Sequence, residues 1–150
     1  MEYFGNKELL NNYKIGFLCS RKVPAEIILK TYDWAIKQRD EGKCIISGFH
    51  SKIEQDVFEI LLKGTQPIVM VLARGLKKRW NKEITKAVDD NRLLIIASFK
   101  EKIKRVTSDN AKKRNELILS LSDEVFIPFV INNSSFSPAI KKYNNKISTF

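Results

Sequence analysis

The chain has few of the residues from which metal and covalent catalytic sites are built, with one histidine and two cysteines among 150 residues. Cys19 and Cys44 form no CxxC pair, so no metal or dithiol site is expected. Both lie in or beside apolar runs, which predicts buried free thiols. His50 has no evident carboxylate or thiol partner. Because no nucleophile–base set can be assembled, we expect a protein that is not an enzyme and that uses no cofactor or metal.

Targeting signals and the common nucleotide-binding fingerprints are also missing. The first residues lack the basic start and apolar core of a signal peptide. No apolar run approaches the roughly 20 residues that cross a bilayer. These absences predict a cytoplasmic protein with no membrane partner. Neither G-x-G-x-x-G nor GxxxxGK[ST] occurs, which disfavours a dinucleotide-dependent dehydrogenase and a P-loop NTPase.

Acidic residues are much scarcer than basic ones, at 17 against 27, which leaves a net charge of +10. The corresponding isoelectric point is near 9.6. An excess of this size indicates a polyanionic partner such as nucleic acid, a nucleotide or an anionic surface. The alternative is a basic protein whose lysines only keep it dispersed.

Apolar strands alternate with amphipathic helices along most of the chain. Strands are predicted at 14–19, 44–47, 67–73, 93–97 and 124–130, and the continuous apolar run of the third predicts a strand covered on both faces. Helices are predicted after Pro24, after the Ser51–Glu54 capping box, before Asn91, and over 109–121 with Asp109 as its N-cap. The buried face of the first helix is predicted to carry Ile28, Tyr32, Ala35 and Ile36.

This alternation predicts a Rossmann-like, doubly wound α/β domain with a mainly parallel five-stranded sheet and helices on both faces. The domain is expected at 14–130, after an N-terminal arm at 1–13 and before a polar, basic C-terminal tail at 131–150. Phe136, Ile140 and Tyr143 are candidates to dock that tail on the domain.

Ligands of such folds bind at the carboxyl ends of the strands, so the residues that follow each strand are the candidate site. Ser20 and Arg21 follow the first strand, beside a helix N-terminus that favours anions. Ser47, Gly48 and His50 lie at the end of the second. The later junctions carry Arg74, Lys77, Lys78, Arg79 and Lys82, then Lys100, Lys102, Lys104 and Arg105, and then Lys112, Lys113 and Arg114.

Trp80 lies among these cations and has two interpretations. The ring either covers the edge of the core or stacks on a nucleic-acid base, since lysines with an interleaved aromatic suit single strands. Glu54, Asp56 and Glu59 fall on one predicted helix, and we interpret their charges as balancing nearby lysines rather than as acid–base groups.

Several of these short motifs together resemble the DNA processing protein A (DprA, also called Smf) family. Ser20-Arg21 resembles that family's Gly-Ser-Arg, and Ser47-Gly48 resembles the start of its Ser-Gly-(Leu/Met)-Ala-x-Gly-x-Asp. Residues 68–76 are similar to its apolar strand and glycine turn, and Asn81 falls where the family often has a helix-opening asparagine. Arg114-Asn115 resembles Arg-Asn-Arg-Ile-Ile-x-x-Leu-Ser. The order and approximate spacing agree over about residues 14–130.

The resemblance implies a domain that binds single-stranded DNA through a basic pocket, forms a homodimer and has a recombinase partner. The positions that match the motifs, and so are implied to contact phosphate or nucleotide, are Ser20, Arg21, Ser47, Gly48, Arg114 and Asn115. Three departures stand out: Cys19 replaces a glycine, residues 49–54 replace the Ala-x-Gly-x-Asp portion, and Glu116 replaces the last arginine.

Three functional hypotheses follow, of which the third is a scaffold that binds a partner and has no nucleotide ligand. The first is a DNA-processing protein that binds single-stranded DNA, in DNA uptake or recombination, through Ser20, Arg21, Ser47, Gly48, His50, Arg74, Lys78, Arg114 and Asn115. The second is a small-molecule sensor that binds a free nucleotide or nucleotide derivative in the same pocket. The wider superfamily also contains hydrolases, but their Gly-Gly-x-Gly-Thr loop is missing here.

Overall fold

The computed structural model describes residues 1–130 and 137–150, and its strands form one seven-stranded sheet of order β1-β5-β4-β3-β2-β6-β7. The strands are β1 (Glu2–Phe4), β2 (Lys14–Phe17), β3 (Cys44–Ser47), β4 (Ile68–Leu72), β5 (Leu93–Ala97), β6 (Glu124–Phe126) and β7 (Ile147–Ser148). The helices are α1 (Ala25–Asp40), α2 (Lys52–Leu62), α3 (Lys82–Asp89), α4 (Ser108–Leu121) and α5 (Ser137–Lys142), with 3-10 helices at Lys7–Asn11 and Asn144–Lys146.

The central strands are buried on both faces, as the continuous apolar runs predicted. Every residue of β4 and β5 is at most 9% exposed. Alternate side chains enter two separate cores: Ile68, Met70 and Leu72 point to one, and Val69 and Val71 to the other. The first core contains residues of α1, α2 and α3, whereas the second contains residues of α4. The predicted doubly wound α/β architecture, with helices on both faces, is therefore confirmed.

The predicted strand count of five is wrong, because the sheet has a further strand at each edge. β1 pairs antiparallel with β5, with Tyr3 opposite Ile96. β7 pairs parallel with β6, with Ile147 opposite Val125. These strands contain only three and two residues, so neither shows the alternation that marks a strand in sequence. They are extended because they pair with β5 and β6.

The C-terminal residues pack on the domain. Ile140 and Tyr143 contact the second core, as proposed from the sequence, while Phe136 lies outside the described residues. The Nζ of Lys146 donates to the carbonyl oxygens of Leu119 and Ser122 at 3.2 and 2.9 Å, which satisfies free carbonyls at the end of α4. The division of the chain into arm, domain and tail stays a prediction.

Most local signals gave the right helix ends, but one N-cap and one residue of a buried helix face differ from the prediction. The capping box of α2 forms as predicted between Ser51 and Glu54. The N-cap of α4 is Thr107 rather than Asp109, because the Thr107 hydroxyl accepts the Asn110 N–H. Ile36, expected on the buried face of α1, is 39% exposed, and Thr31 and Gln38 are buried there instead.

In the part of the chain that the structure describes, no helix is long and apolar enough to span a bilayer.

The two cysteines are free and buried, as predicted. Burial raises the pKa of the Cys19 thiol to about 12 and that of Cys44 to about 11. Since only the thiolate reacts, both should resist a thiol reagent in the native protein at about pH 8 and react rapidly in denaturant. A colorimetric thiol assay with and without guanidinium measures this. Rapid modification of either cysteine in the folded protein would contradict the burial.

Candidate nucleic-acid interface

The candidate site lies at the carboxyl edge of the parallel strands, in a cavity of about 540 Å³. Four of the residues proposed from the sequence line it together: Gly48, His50, Arg74 and Arg114. Lys77 and Lys104 add two further cations, while Glu59 and Glu83 bring two carboxylates, so cations remain in excess. The apolar lining includes Phe49, Phe58, Met70, Leu72 and Trp80. The cavity thus combines positive charge with aromatic surface, which is the combination that nucleotides need.

Arg114 is the cation that burial perturbs most clearly at this cavity. The residue is only 6% exposed, and its Nε donates to Oδ1 of Asn115 at 2.9 Å. Burial lowers its pKa, and the negative charge of Glu54 opposes that shift in part. Within residues 1–130 and 137–150 no carboxylate forms an ion pair with Arg114. Because a buried charge without a direct ion pair is costly, an anion bound in the cavity would lower that cost.

Gly48 provides the space that Arg114 occupies. A Cβ at Gly48 would lie 2.6 Å from Nη1 and 2.8 Å from Cζ of Arg114. The guanidinium therefore packs directly on the Gly48 backbone. From the sequence we expected this glycine to let a ligand approach the backbone, whereas the structure places the arginine there.

Glu54 holds two strand-end loops in place with one buried carboxylate. Its Oε2 accepts the Cys19 N–H at 2.9 Å, and its Oε1 accepts the His50 and Ser51 N–H groups at 2.9 and 3.2 Å. The residue is 5% exposed, so it cannot act as the solvated counter-charge that the sequence suggested. The capping-box motif revealed the contact with Ser51, but nothing in the sequence revealed the contact with Cys19.

The remaining sequence-proposed residues lie around the cavity rather than in it. Ser47 is fully buried and its Oγ accepts the Phe49 N–H at 3.2 Å, while the Ser20 hydroxyl donates to the Lys22 carbonyl at 3.3 Å. Asn115 contacts the cavity residue Arg114, whose Nε–H its Oδ1 accepts. Arg21 lines a neighbouring cavity of about 330 Å³ with His50, and Lys78 lines another of about 560 Å³.

Phe49 is a site residue that sequence reasoning missed. Its φ is 47°, a left-handed conformation that bulky residues rarely adopt. The ring is buried and lies 4.7 Å from that of Phe58, measured between centroids. Strain of this kind costs roughly 1–3 kcal/mol and persists where the surrounding structure enforces it, often at binding sites. Here the Glu54 contacts to the next two N–H groups enforce the turn.

Trp80 covers the edge of the core, as one of its two interpretations from the sequence proposed, and its stacking on a base stays a prediction. It packs against the first core and stacks on Phe4, with 6.2 Å between ring centroids. It also lines the cavity, and the Lys77 ammonium lies 5.4 Å from its ring centroid. An aromatic surface and a cation therefore lie side by side at the cavity.

His50 lies between the central cavity and the one beside Arg21. Partial burial lowers its pKa from the usual 6.5, the positive charges of Arg114 and Arg21 lower it further, and Glu54 opposes them. These effects favour the neutral form of the imidazole. Among the residues described, no group of three or more His, Cys, Asp or Glu side chains is arranged to hold a metal ion.

Comparison with protein families identifies the lineage of this chain. The sequence matches the family model described as DNA recombination-mediator protein A over residues 1–137. The chain belongs to this family. The resemblance to the DprA family drawn from short motifs is thereby confirmed. A search of curated proteins gives no match.

Two solved structures share the fold. DNA processing protein A from Helicobacter pylori, described for its single-stranded DNA binding mode, has a TM-score of 0.78 and 21% identity; the match covers 98% of this chain and 69% of that one. DNA processing protein A from Streptococcus pneumoniae has a TM-score of 0.77 and 18% identity, and the match covers 98% of this chain and 53% of that one. The chain thus spans only part of the length of these family members.

The sole histidine offers a direct test of the site's electrostatics. In an NMR pH titration His50 should titrate below 6.5, because burial and two arginines disfavour its protonated form. Arg114→Gln should raise that pKa, and Arg21→Gln should raise it by less. Lys43→Gln is a charge-matched control, because Lys43 is exposed and lies before β3, at the opposite end of the parallel strands from the cavity. A wild-type pKa at or above 6.5 would contradict the described environment.

Proposed function

We propose that the protein is a DNA-processing protein that binds single-stranded DNA in the cavity at the carboxyl edge of its sheet. The observation that carries this proposal is the buried Arg114 guanidinium, which forms no ion pair with a carboxylate among the described residues and lines a cavity together with Trp80 and further cations. Membership of the DNA recombination-mediator protein A family supports the same function.

The chemistry of the cavity fits each part of a nucleotide. Arg114 presents a guanidinium suited to bidentate binding of a phosphate. Exposed Lys77 and Lys104 add attraction that does not depend on sequence. Trp80 offers a ring on which any base can stack, a contact worth about 1–3 kcal/mol. A bound phosphate also favours the protonated form of His50, so affinity should increase as the pH falls.

Binding alone is the proposed activity, without a bond-breaking step. The family likeness extends the proposal to DNA uptake or recombination in the cytoplasm, with a homodimer and a recombinase as partners. For these partners the proposal rests on the family alone.

A second candidate function is recognition of a free nucleotide or nucleotide derivative. The volume of about 540 Å³ favours it, since pockets for small molecules typically enclose about 300–1,000 Å³. In that case a mononucleotide would saturate the cavity, and the exposed lysines of the surrounding loops would be dispensable.

Substitution of Arg114 tests the anion site. By fluorescence anisotropy, Arg114→Gln should weaken binding of a labelled single-stranded oligonucleotide by roughly tenfold to a hundredfold, because a hydrogen bond to a charged group is lost. Wild-type affinity should also fall with salt, with a log–log slope of about −0.7 for each phosphate neutralised. Lys43→Gln, which removes the same charge elsewhere, should have little effect.

Gly48→Ala sharpens this test because it leaves the charge unchanged. The added methyl group should displace Arg114 and weaken binding, yet Gly48→Ala/Arg114→Gln should bind no worse than Arg114→Gln alone. Thermal melts would establish that each variant folds. Undetectable binding of the wild type at low salt would overturn the DNA proposal, and a thermal-shift screen of free nucleotides would then test the second candidate.

The two tryptophans allow the bound strand to be located. Trp34 stacks on Phe126 at a centroid distance of 4.5 Å, whereas Trp80 lines the cavity. A stacked base should quench Trp80, so oligonucleotide should quench the fluorescence of Trp34→Phe strongly and that of Trp80→Phe only weakly. Equal quenching of both variants would place the ligand elsewhere.

A further inference from the structure

We propose that the crevice between the loops after β4 and β5 is a second phosphate-binding subsite, through which a DNA strand continues beyond the cavity that contains Arg114. This inference rests on the proposed function, because it assigns a path to the same ligand. The crevice has a volume of about 560 Å³.

The topology of the sheet places a crevice at this position. β4 and β5 are adjacent and parallel. The chain leaves β4 for α3, which packs on the first core, and leaves β5 for α4, which packs on the second. The two loops therefore lead to helices on opposite faces of the sheet. Both loops lie outside the carboxyl ends of parallel strands, which is where open α/β sheets bind ligands.

Gly75 fixes the two loops against each other. Its N–H donates to the Ile103 carbonyl at 2.8 Å, and the Ile103 N–H donates to the Lys100 carbonyl at 2.9 Å. A Cβ at Gly75 would collide with the Lys100 carbonyl oxygen and would lie 2.6 Å from the Glu101 Cα. Only glycine allows this approach, so the crevice is held by backbone contacts rather than by mobile side chains.

Charge at the crevice is strongly one-sided. One carboxylate, Glu101, faces five cations: Arg74, Lys77, Lys78, Lys102 and Lys104. None of these cations forms an ion pair with a carboxylate in the described part of the chain. Adjacent like charges repel, and a polyanion that lies between them replaces repulsion by attraction and releases its counter-ions.

The crevice is continuous with the central cavity. Arg74, Lys77 and Lys104 line both, so a strand whose phosphate contacts Arg114 has its next cationic surface here. Lys78 and Lys102 line the crevice alone. Substitution of these two lysines therefore tests the second subsite and leaves the lining of the first unchanged.

Oligonucleotide length separates the two subsites. Strands of about four and about twelve nucleotides would be compared by anisotropy across a salt series, since sites of this type cover about 4–16 nucleotides. Lys78→Gln/Lys102→Gln should leave the short strand unaffected. For the long strand it should lower affinity roughly three- to tenfold and reduce the magnitude of the salt slope by about 1.4, the loss of two phosphate contacts.

Two further variants sharpen the comparison. Lys37→Gln/Lys43→Gln removes the same charge from exposed positions at the end of α1 and before β3, remote from the crevice, and should change neither strand. Gly75→Ala keeps the charge but forces the loops apart, so it should weaken binding of the long strand more than that of the short strand, which loses only the cations shared with the first cavity. A thermal melt would check its folding. If Gly75→Ala does not fold, the lysine pair still decides the question.

The outcomes distinguish this inference from the proposed function. Wild-type binding of both strands with no length-dependent effect of Lys78→Gln/Lys102→Gln would overturn the second subsite and leave the first intact. Equal weakening by the lysine pair and by its remote control would also overturn it, because the effect would then be general attraction. Failure of the wild type to bind either strand would overturn the proposed function itself.

Discussion

Burial of the central strands on both faces is the constraint on which the rest of this structure depends. Residues of β4 and β5 supply apolar side chains alternately to two cores, so no polar group can be placed along them without loss of stability. Ligand-binding groups are therefore confined to the loops at the strand ends. Because β2 to β5 run parallel, the loops that follow them meet at one edge, and the excess basic charge is concentrated there.

Rigid loops favour binding, and three contacts hold the loops at that edge in place. The Glu54 carboxylate joins the end of β2 to the loop after β3. The Arg114 guanidinium packs against the Gly48 backbone, and this contact sets the position of the buried cation. Gly75 joins the loops after β4 and β5. A preorganised site loses less conformational entropy when a ligand binds, so each contact favours affinity without touching the ligand.

Family membership and site chemistry support the same class of function from independent observations. The family model covers residues 1–137, and the fold is that of DNA processing protein A from two bacteria. The cavity combines a buried arginine, exposed lysines and an aromatic wall, which suits phosphates joined to bases. Among the family-matched positions, Gly48 and Arg114 form the cavity, whereas Ser47 and Asn115 support it from behind. Lys78 belongs instead to the crevice between β4 and β5.

The sequence by itself determined the order of the strands and helices along the chain, the α2 cap and the clustering of basic residues after the strands, because each of these is encoded by neighbouring residues. It did not reveal β1 and β7, which are too short to show a period and are extended only because β5 and β6 pair with them. Nor did it reveal that Glu54 binds the Cys19 N–H or that Arg114 fills the space beside Gly48. Only the tertiary structure decided these contacts, because they join residues far apart in the chain, and their geometry exists only after the sheet and both cores have formed.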